Sequence, residues 1–249
     1  MRDLTKVYGE HRAVDTLSLD IPRGSIYGIV GPNGAGKTTM ITMATGLARP
    51  TEGRAWIAGH DVWADPVPAK QAMGLLADGV PVFDRLSGRE YLQYLGGLRG
   101  MPQEEVELRA TELLDALGLA DAGPKFIVDY SAGMKKKILL AGALLHDPEV
   151  LILDEPLEAV DPVSGRLIQQ ILRSFAARGG TVVLSSHVME LVEGLCDHVA
   201  IIHEGQVLAS GHVDEVRQGD SLVDTFVRYV GGGELAEGSF GWLRGGETK

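Results

Sequence analysis

Gly31-Pro32-Asn33-Gly34-Ala35-Gly36-Lys37-Thr38 fits the spacing G-x-x-x-x-G-K-[ST], between an apolar run, Ile26 to Val30, and a helical stretch from about Lys37 to Leu47. Nothing else in the chain constrains the fold as strongly. A loop that turns successive backbone N–H groups inward needs glycines, a strand to leave from and a helix whose N-terminus adds positive potential. The same loop implies a nucleoside-triphosphate site, in which Lys37 neutralises the β and γ oxygens and Thr38 ligates Mg²⁺.

The remaining elements predict an α/β class with a largely parallel sheet. Val150 to Leu153 is apolar at every residue and Thr181 to Leu184 repeats that character, as in strands covered on both faces. Between them Leu167, Ile168, Ile171, Leu172 and Phe175 recur at helical spacing and Gly179-Gly180 supplies a stop, giving a right-handed strand-helix-strand unit. Near the start, Leu17, Leu19 and Ile21 alternate with Ser18 and Asp20 before the Pro22-Arg23-Gly24 turn, which predicts a hairpin into Ser25 to Val30; Arg54 to Ile57 predicts a second pair. From about Asp78 to Asp147 helix follows helix. Ser87 and Glu90 form a capping box, Pro102 opens a helix that lines Val106, Ala110, Leu113, Leu114 and Leu117 on one face, and Gly118 ends it. The Glu204-Gly205 turn joins two short strands, Val213 to Val230 reads as a terminal helix, and Gly231 to Lys249, with seven glycines, reads as a loose tail.

Leu151-Ile152-Leu153-Asp154-Glu155-Pro156 is an apolar strand ending in carboxylates, which aims them at the loops. Asp154 is placed to hold Mg²⁺ through its water shell and Glu155 to polarise an attacking water. Ser131 reads as the N-cap of Ala132 to Leu145, an anion-binding start with Gly133 nearby, and His187 stands at a strand end, suited to donate to phosphate. Lys135-Lys136-Lys137 reads as a solvated face and Cys196, with Val192, as core. Lys plus Arg number 23 against 34 Asp plus Glu, and the net charge of −11 argues against non-specific nucleic-acid binding. One cysteine, no cleavable signal pattern and no apolar run of roughly 18 residues predict a soluble cytosolic chain.

Taken in order, Tyr8, the Gly31 to Thr38 cradle, Tyr130-Ser131-Ala132-Gly133-Met134, Asp154-Glu155, Ala159-Val160-Asp161 and His187 resemble the motifs of the ATP-binding subunit of an ABC transporter, from about Leu4 to Val230. The resemblance implies a P-loop NTPase fold of the ABC ATPase type: a mostly parallel central sheet, an N-terminal antiparallel β part and an inserted helical subdomain. It divides the chain into a catalytic core at 1–77 and 148–212, a helical part at 78–147 and a terminal helix at 213–230. It implies that Tyr8 stacks on adenine and that Gly31, Asn33, Gly34, Ala35, Gly36, Lys37, Thr38 and Thr39 hold ATP. In the same way, Thr38 and Asp154 hold Mg²⁺, Glu155 and His187 are catalytic, Ser131, Ala132, Gly133 and Met134 face a partner's ATP, and Asp161 belongs to a dimer loop. The implied assembly is a head-to-tail pair with a second copy or a paralogue around two ATP, driving a separate integral-membrane permease from the cytoplasmic face of the cell membrane, with no nucleic acid.

This chain departs from the family pattern at two places. The usual Leu-Ser-Gly-Gly-Gln signature is Tyr-Ser-Ala-Gly-Met here, so Ala132 adds a β-carbon, and Asp78 stands where a glutamine opens the helical part and couples it to the permease. Such variants look similar to the ABC-2 type branch of two-component exporters of drugs, antibiotics or lipids. A soluble ABC-type conformational ATPase would resemble tandem cradles or long coiled-coil insertions, and neither is present; Ala132 and Asp78 motivate a poorly hydrolysing regulatory module as the other alternative. The chain begins close ahead of Leu4, so the family's first strand looks clipped and an upstream start is expected.

Overall fold

A computed structural model describes residues 1–77, 83–122 and 125–231. β1 (Arg2–Tyr8) pairs antiparallel with β2 (His11–Leu17) and with β4 (Glu52–Arg54), forming a three-stranded sheet. β3 (Ile26–Val30) leads through the cradle to α1 (Lys37–Ala44); β5 (Trp56–Ile57) and β6 (His60–Asp61) make a small ribbon before α2 (Pro66–Gln71) and β7 (Met73–Leu76). Three helices follow, α3 (Gly88–Leu98), α4 (Gln103–Ala116) and α5 (Ala132–Leu144). Then come β8 (Val150–Leu153), α6 (Pro162–Ala177), β9 (Thr181–Ser186), α7 (Met189–Leu195), β10 (His198–His203), β11 (Gln206–His212), α8 (Val213–Arg217) and α9 (Leu222–Val230).

The main sheet has the order β11-β10-β3-β9-β8-β7, parallel throughout except for the antiparallel edge strand β11. Its inner strands are largely apolar on both sides because both faces are covered, whereas the edge strand β11 is partly exposed. Ile26, Val30, Leu151, Leu153, Val182 and Leu184 pack with helical residues such as Leu92, Leu114, Ile138 and Leu172. The alternate residues Tyr27, Ile29, Ile152 and Val183 pack with Leu4, Val14, Met40 and Ile41 beneath the antiparallel sheet and α1. The period-2 alternation thus divides one set of strands between two cores.

Several sequence expectations change. β2 ends at Leu17, and β3 pairs with β9 and β10 instead of forming a hairpin with the Leu17 to Ile21 segment. All five residues of β3 are buried, which suits the centre of a two-faced sheet and not a half-exposed hairpin. The second pair is divided: Glu52–Arg54 joins β1, whereas Trp56–Ile57 turns back on His60–Asp61. α1 stops at Ala44, earlier than Leu47, with the Thr45 hydroxyl donating to the Ile41 carbonyl. The terminal helix is broken, because Gln218 adopts a left-handed conformation (φ 53°) and Ser221 caps a new helix by accepting the Asp224 N–H. Lys135, Lys136 and Lys137 are half-buried instead of solvated. The Ser87–Glu90 capping box forms in both directions, and Cys196 is buried, its thiol pushed up to about 12 by desolvation. No helix of the described residues is long and apolar enough to cross a membrane.

Candidate functional site

The parallel strands β3, β8 and β9 finish at the same edge of the sheet, and the loops leaving them build the site. Val30 is opposite Ser186, and Leu153 is opposite Leu184, so Gly31, Asp154 and His187 follow three neighbouring strand ends. Gly36 caps α1 with φ 101°, and a β-carbon there would lie 2.5 Å from the Ala13 carbonyl oxygen; only glycine allows both the conformation and the approach. Lys37 then enters the helix with its side chain folded over the loop, where Nζ donates to the carbonyls of Gly31 (2.8 Å) and Pro32 (3.2 Å).

Opposite the cradle, Glu155 bridges the Lys37 ammonium and the His187 imidazole. Its Oε1 lies 3.6 Å from Lys37 Nζ, and its Oε2 lies 3.1 Å from His187 Nδ1, whose N–H donates to the carboxylate. The Lys37 and Glu155 side chains are only 6% and 13% exposed, so their attraction is weakly screened. Glu155 holds a left-handed backbone, φ 46°, an uncommon conformation for a side chain of this kind. Behind it, Asp154 is fully buried, and its Oδ2 has no hydrogen-bond partner among the described residues. A buried acceptor of this kind fits a water or a cation, and the hydroxyl of Thr38, exposed at the start of α1, supplies a second oxygen of the type Mg²⁺ takes.

Above these groups is a cleft of about 490 Å³, lined by Tyr8, His11, Asn33, Gly34, Ala35, Gly36, Lys37, Thr38, Thr39, Glu155, Glu158 and His187 with Ala13. Tyr8 is 51% exposed, a face on which a planar group can stack, and Lys6 Nζ lies 5.0 Å from its ring centroid. His11 and Glu158 were not singled out from the sequence. His11 enters because the β1–β2 register sets it opposite Tyr8, and Glu158 because the loop after Glu155 folds back, its N–H donating to the Glu155 carbonyl. Ser185 was missed too: fully buried, it donates to Asp154 Oδ1 and accepts the N–H of Glu155.

Other candidates lie elsewhere. Ser131 caps α5 by accepting the Met134 N–H (3.2 Å), and Ser131, Ala132, Gly133 and Met134 are absent from the cleft lining. A β-carbon on Gly133 would sit 3.8 Å from the Ala159 carbonyl, so the α5 start lies beside the loop before Asp161. Asp161 caps α6 by accepting the N–H groups of Val163 and Ser164, and hydrogen bonds from Ser164 hold its carboxyl below the usual range. Asp78 falls outside the described residues. A larger cavity of about 710 Å³ shares no lining residue with the cleft; its rim mixes Arg23 and Arg178 with Asp147 and Glu149, so no single charge converges there.

The ABC transporter family matches residues 14–158. A daunorubicin resistance ATP-binding protein, DrrA3 of Streptomyces coeruleorubidus, is 36% identical over 91% of this chain and 72% of its own length. The solved ATP-binding subunit of an ABC transporter superposes with a TM-score of 0.85 at 28% identity, covering 92% of this chain and 97% of that one. A dimeric ATP-binding cassette in a post-hydrolysis state, bound to ADP and Pi, superposes with a TM-score of 0.77 at 26% identity over 85% and 97%. The chain therefore belongs to the ABC transporter family, as an ATP-binding domain with ATPase activity.

Proposed function

We propose that this chain is the ATPase subunit of an exporter, closing head-to-tail with a second copy or a paralogue around two ATP and driving a separate membrane permease from its cytoplasmic side. The observation that carries this reading is a division within one chain. Lys37, Glu155 and His187 converge in the cleft, whereas Ser131 to Met134, a capped helix start suited to phosphate, lies outside it. A second chain can bring its own Ser131 to the open side of the cleft, and the dimeric ADP-bound relative supports such a pairing.

In this reading Tyr8 stacks on the base, the Gly31 to Thr38 backbone and Lys37 hold the phosphates, and Thr39 closes the cradle. Thr38 and Asp154 would hold Mg²⁺, which supplies charge neutralisation at the phosphates. Glu155 accepts the proton of the attacking water, and His187 positions the water and the terminal phosphate. Asp161 at the α6 cap contributes to the dimer loop. Asp78 links nucleotide state to the helical part, 78–147, which passes the movement to the permease, while 1–77 and 148–212 form the catalytic core. The name of the daunorubicin resistance relative supports a drug- or antibiotic-like cargo, with lipid-like compounds as the related class. The net charge of −11 supports a role without nucleic acid.

Mixing two inactive variants tests the pairing. Lys37→Ala destroys the cradle and Ser131→Arg the partner surface, yet a mixed dimer retains one intact site. Random pairing makes about half of the dimers mixed, so phosphate release returns to about a quarter of wild type if the sites act independently. Phosphate release per wild-type chain should also rise with protein concentration. A mixture as inactive as its parents, beside an active wild type, refutes the head-to-tail arrangement.

A further inference from the structure

We propose that Ser185 is a positioning residue for ATP hydrolysis: one buried hydroxyl sets both the free oxygen of Asp154 and the backbone of Glu155. The inference rests on the roles given above to those two carboxylates. Ser185 is fully buried on β9, in a strand that the sequence presents as an apolar run with a polar end. Its Oγ donates to Asp154 Oδ1 and accepts the Glu155 N–H at 2.9 Å. A serine hydroxyl carries one proton, so donation to Asp154 commits it, and the Glu155 N–H then takes a lone pair.

Two consequences follow. With Oδ1 engaged, Oδ2 is the oxygen of Asp154 left without a partner among the described residues, and a cation or its water meets one defined oxygen instead of a rotating carboxylate. Glu155 meanwhile sits at φ 46°, a conformation that disfavours side chains. Its N–H is held by Ser185, and its carbonyl accepts the N–H of Glu158 at 3.2 Å. Release of the first bond frees the backbone to relax and carries the carboxylate away from Lys37 and His187. The adjacent Ser186 has a different task, since its hydroxyl accepts the Val188 N–H in the following loop.

The test compares Ser185→Ala, Ser185→Thr and Glu155→Gln in the full chain, with steady-state phosphate release and with Mn²⁺ titration of the ATP-bound protein by electron paramagnetic resonance. Loss of a hydrogen bond to a charged group should lower kcat by about 10- to 100-fold in Ser185→Ala. The KM for ATP should not rise by more than about twofold, because the cradle is intact and Lys37 loses a competing carboxylate, and Mn²⁺ should bind about 5-fold more weakly, because one metal-facing oxygen is no longer fixed. Ser185→Thr keeps the hydroxyl on a strand that accepts β-branching and should recover most of both losses. A folded Ser185→Ala protein whose kcat and Mn²⁺ affinity both remain within twofold of wild type, or whose loss is confined to KM, overturns the proposal. Mn²⁺ binding decides the matter even at low turnover. Glu155→Gln separates the two readings: if it retains turnover, the role of Glu155 fails; if it loses turnover while Ser185→Ala does not, only the Ser185 inference fails.

Discussion

Before nucleotide arrives, Lys37 is already paired, which makes ATP affinity a sensitive probe of the site. Its ammonium lies 3.6 Å from Glu155 Oε1, with the two side chains 6% and 13% exposed. At an effective dielectric constant of about 20 the gross attraction is roughly 5 kcal/mol. Desolvation of both groups cancels most of it, leaving about 1–2 kcal/mol that an incoming phosphate must displace or share. Glu155→Gln removes that competitor and the repulsion between carboxylate and phosphate. ATP should therefore bind about 5- to 30-fold more tightly, while turnover falls by about 10²–10⁴-fold with the loss of the base. Titration with a fluorescent ATP analogue gives the affinity and single-turnover phosphate release gives the rate. The same substitution in a Lys37→Met background should yield less than half of that affinity gain, since the pair no longer exists there. Equal or weaker ATP binding by folded Glu155→Gln, or an undiminished gain without Lys37, refutes the competition argument.

Two further predictions concern the scaffold. His146 donates through Nε2 to the Met73 carbonyl (3.0 Å), and burial, reinforced by the nearby Arg99 cation, brings its pKa down to about 4 from 6.5. Between those values the unfolded chain binds a proton that the folded chain refuses, so stability falls as the pH drops through 6.5 towards 4, by about 2 kcal/mol after allowance for partial exposure. Urea unfolding of wild type and His146→Gln at pH 7.5 and 4.5 should show a smaller acid loss in the variant; equal losses exclude this origin. Gly74 on β7 packs so closely on α5 that a β-carbon would lie 2.0 Å from the Ala143 carbonyl oxygen and 2.8 Å from Leu151 Cδ2. Gly74→Ala should cost about 3 kcal/mol, and a urea midpoint that places it within 0.5 kcal/mol of wild type, by the order-of-magnitude scale for overpacking, contradicts that packing.

What could be read from the sequence was what local chemistry determines. The cradle, the Ser87–Glu90 capping box and the apolar runs of β8 and β9 carry their signals within a few residues, and the structure places them accordingly. β7 was missed because Met73–Leu76 is short and interrupted by glycine; it becomes a strand through pairing with β8 and contact with α5. The false hairpin arose in the same way, since alternation at Leu17 to Ile21 cannot reveal that β3 prefers the two strands at the centre of the other sheet. A continuous apolar period likewise concealed the break between α8 and α9, which depends on two successive residues of positive φ, Gln218 and Gly219. His11, Glu158 and Ser185 join the site through strand register and a loop return, and no short motif encodes either.

Register also explains why the site tolerates so little displacement. Ile152 faces Val183 and Leu153 faces Leu184 across β8 and β9, while Ile29 faces Ser185 and Val30 faces Ser186 across β3 and β9. One step of slip between β8 and β9 would send Ile152 and Leu153 to the wrong cores, because each strand divides its side chains between two packed faces. The same step would move Asp154 off the Ser185 hydroxyl and carry Glu155 away from Lys37 and His187. Apolar alternation in the interior thus enforces the alignment of the strand ends, where an error of one residue, about 3.3 Å, exceeds the reach of a hydrogen bond. The buried strands are therefore part of the chemical apparatus: they hold the left-handed Glu155 in a position that its own backbone preference would not select.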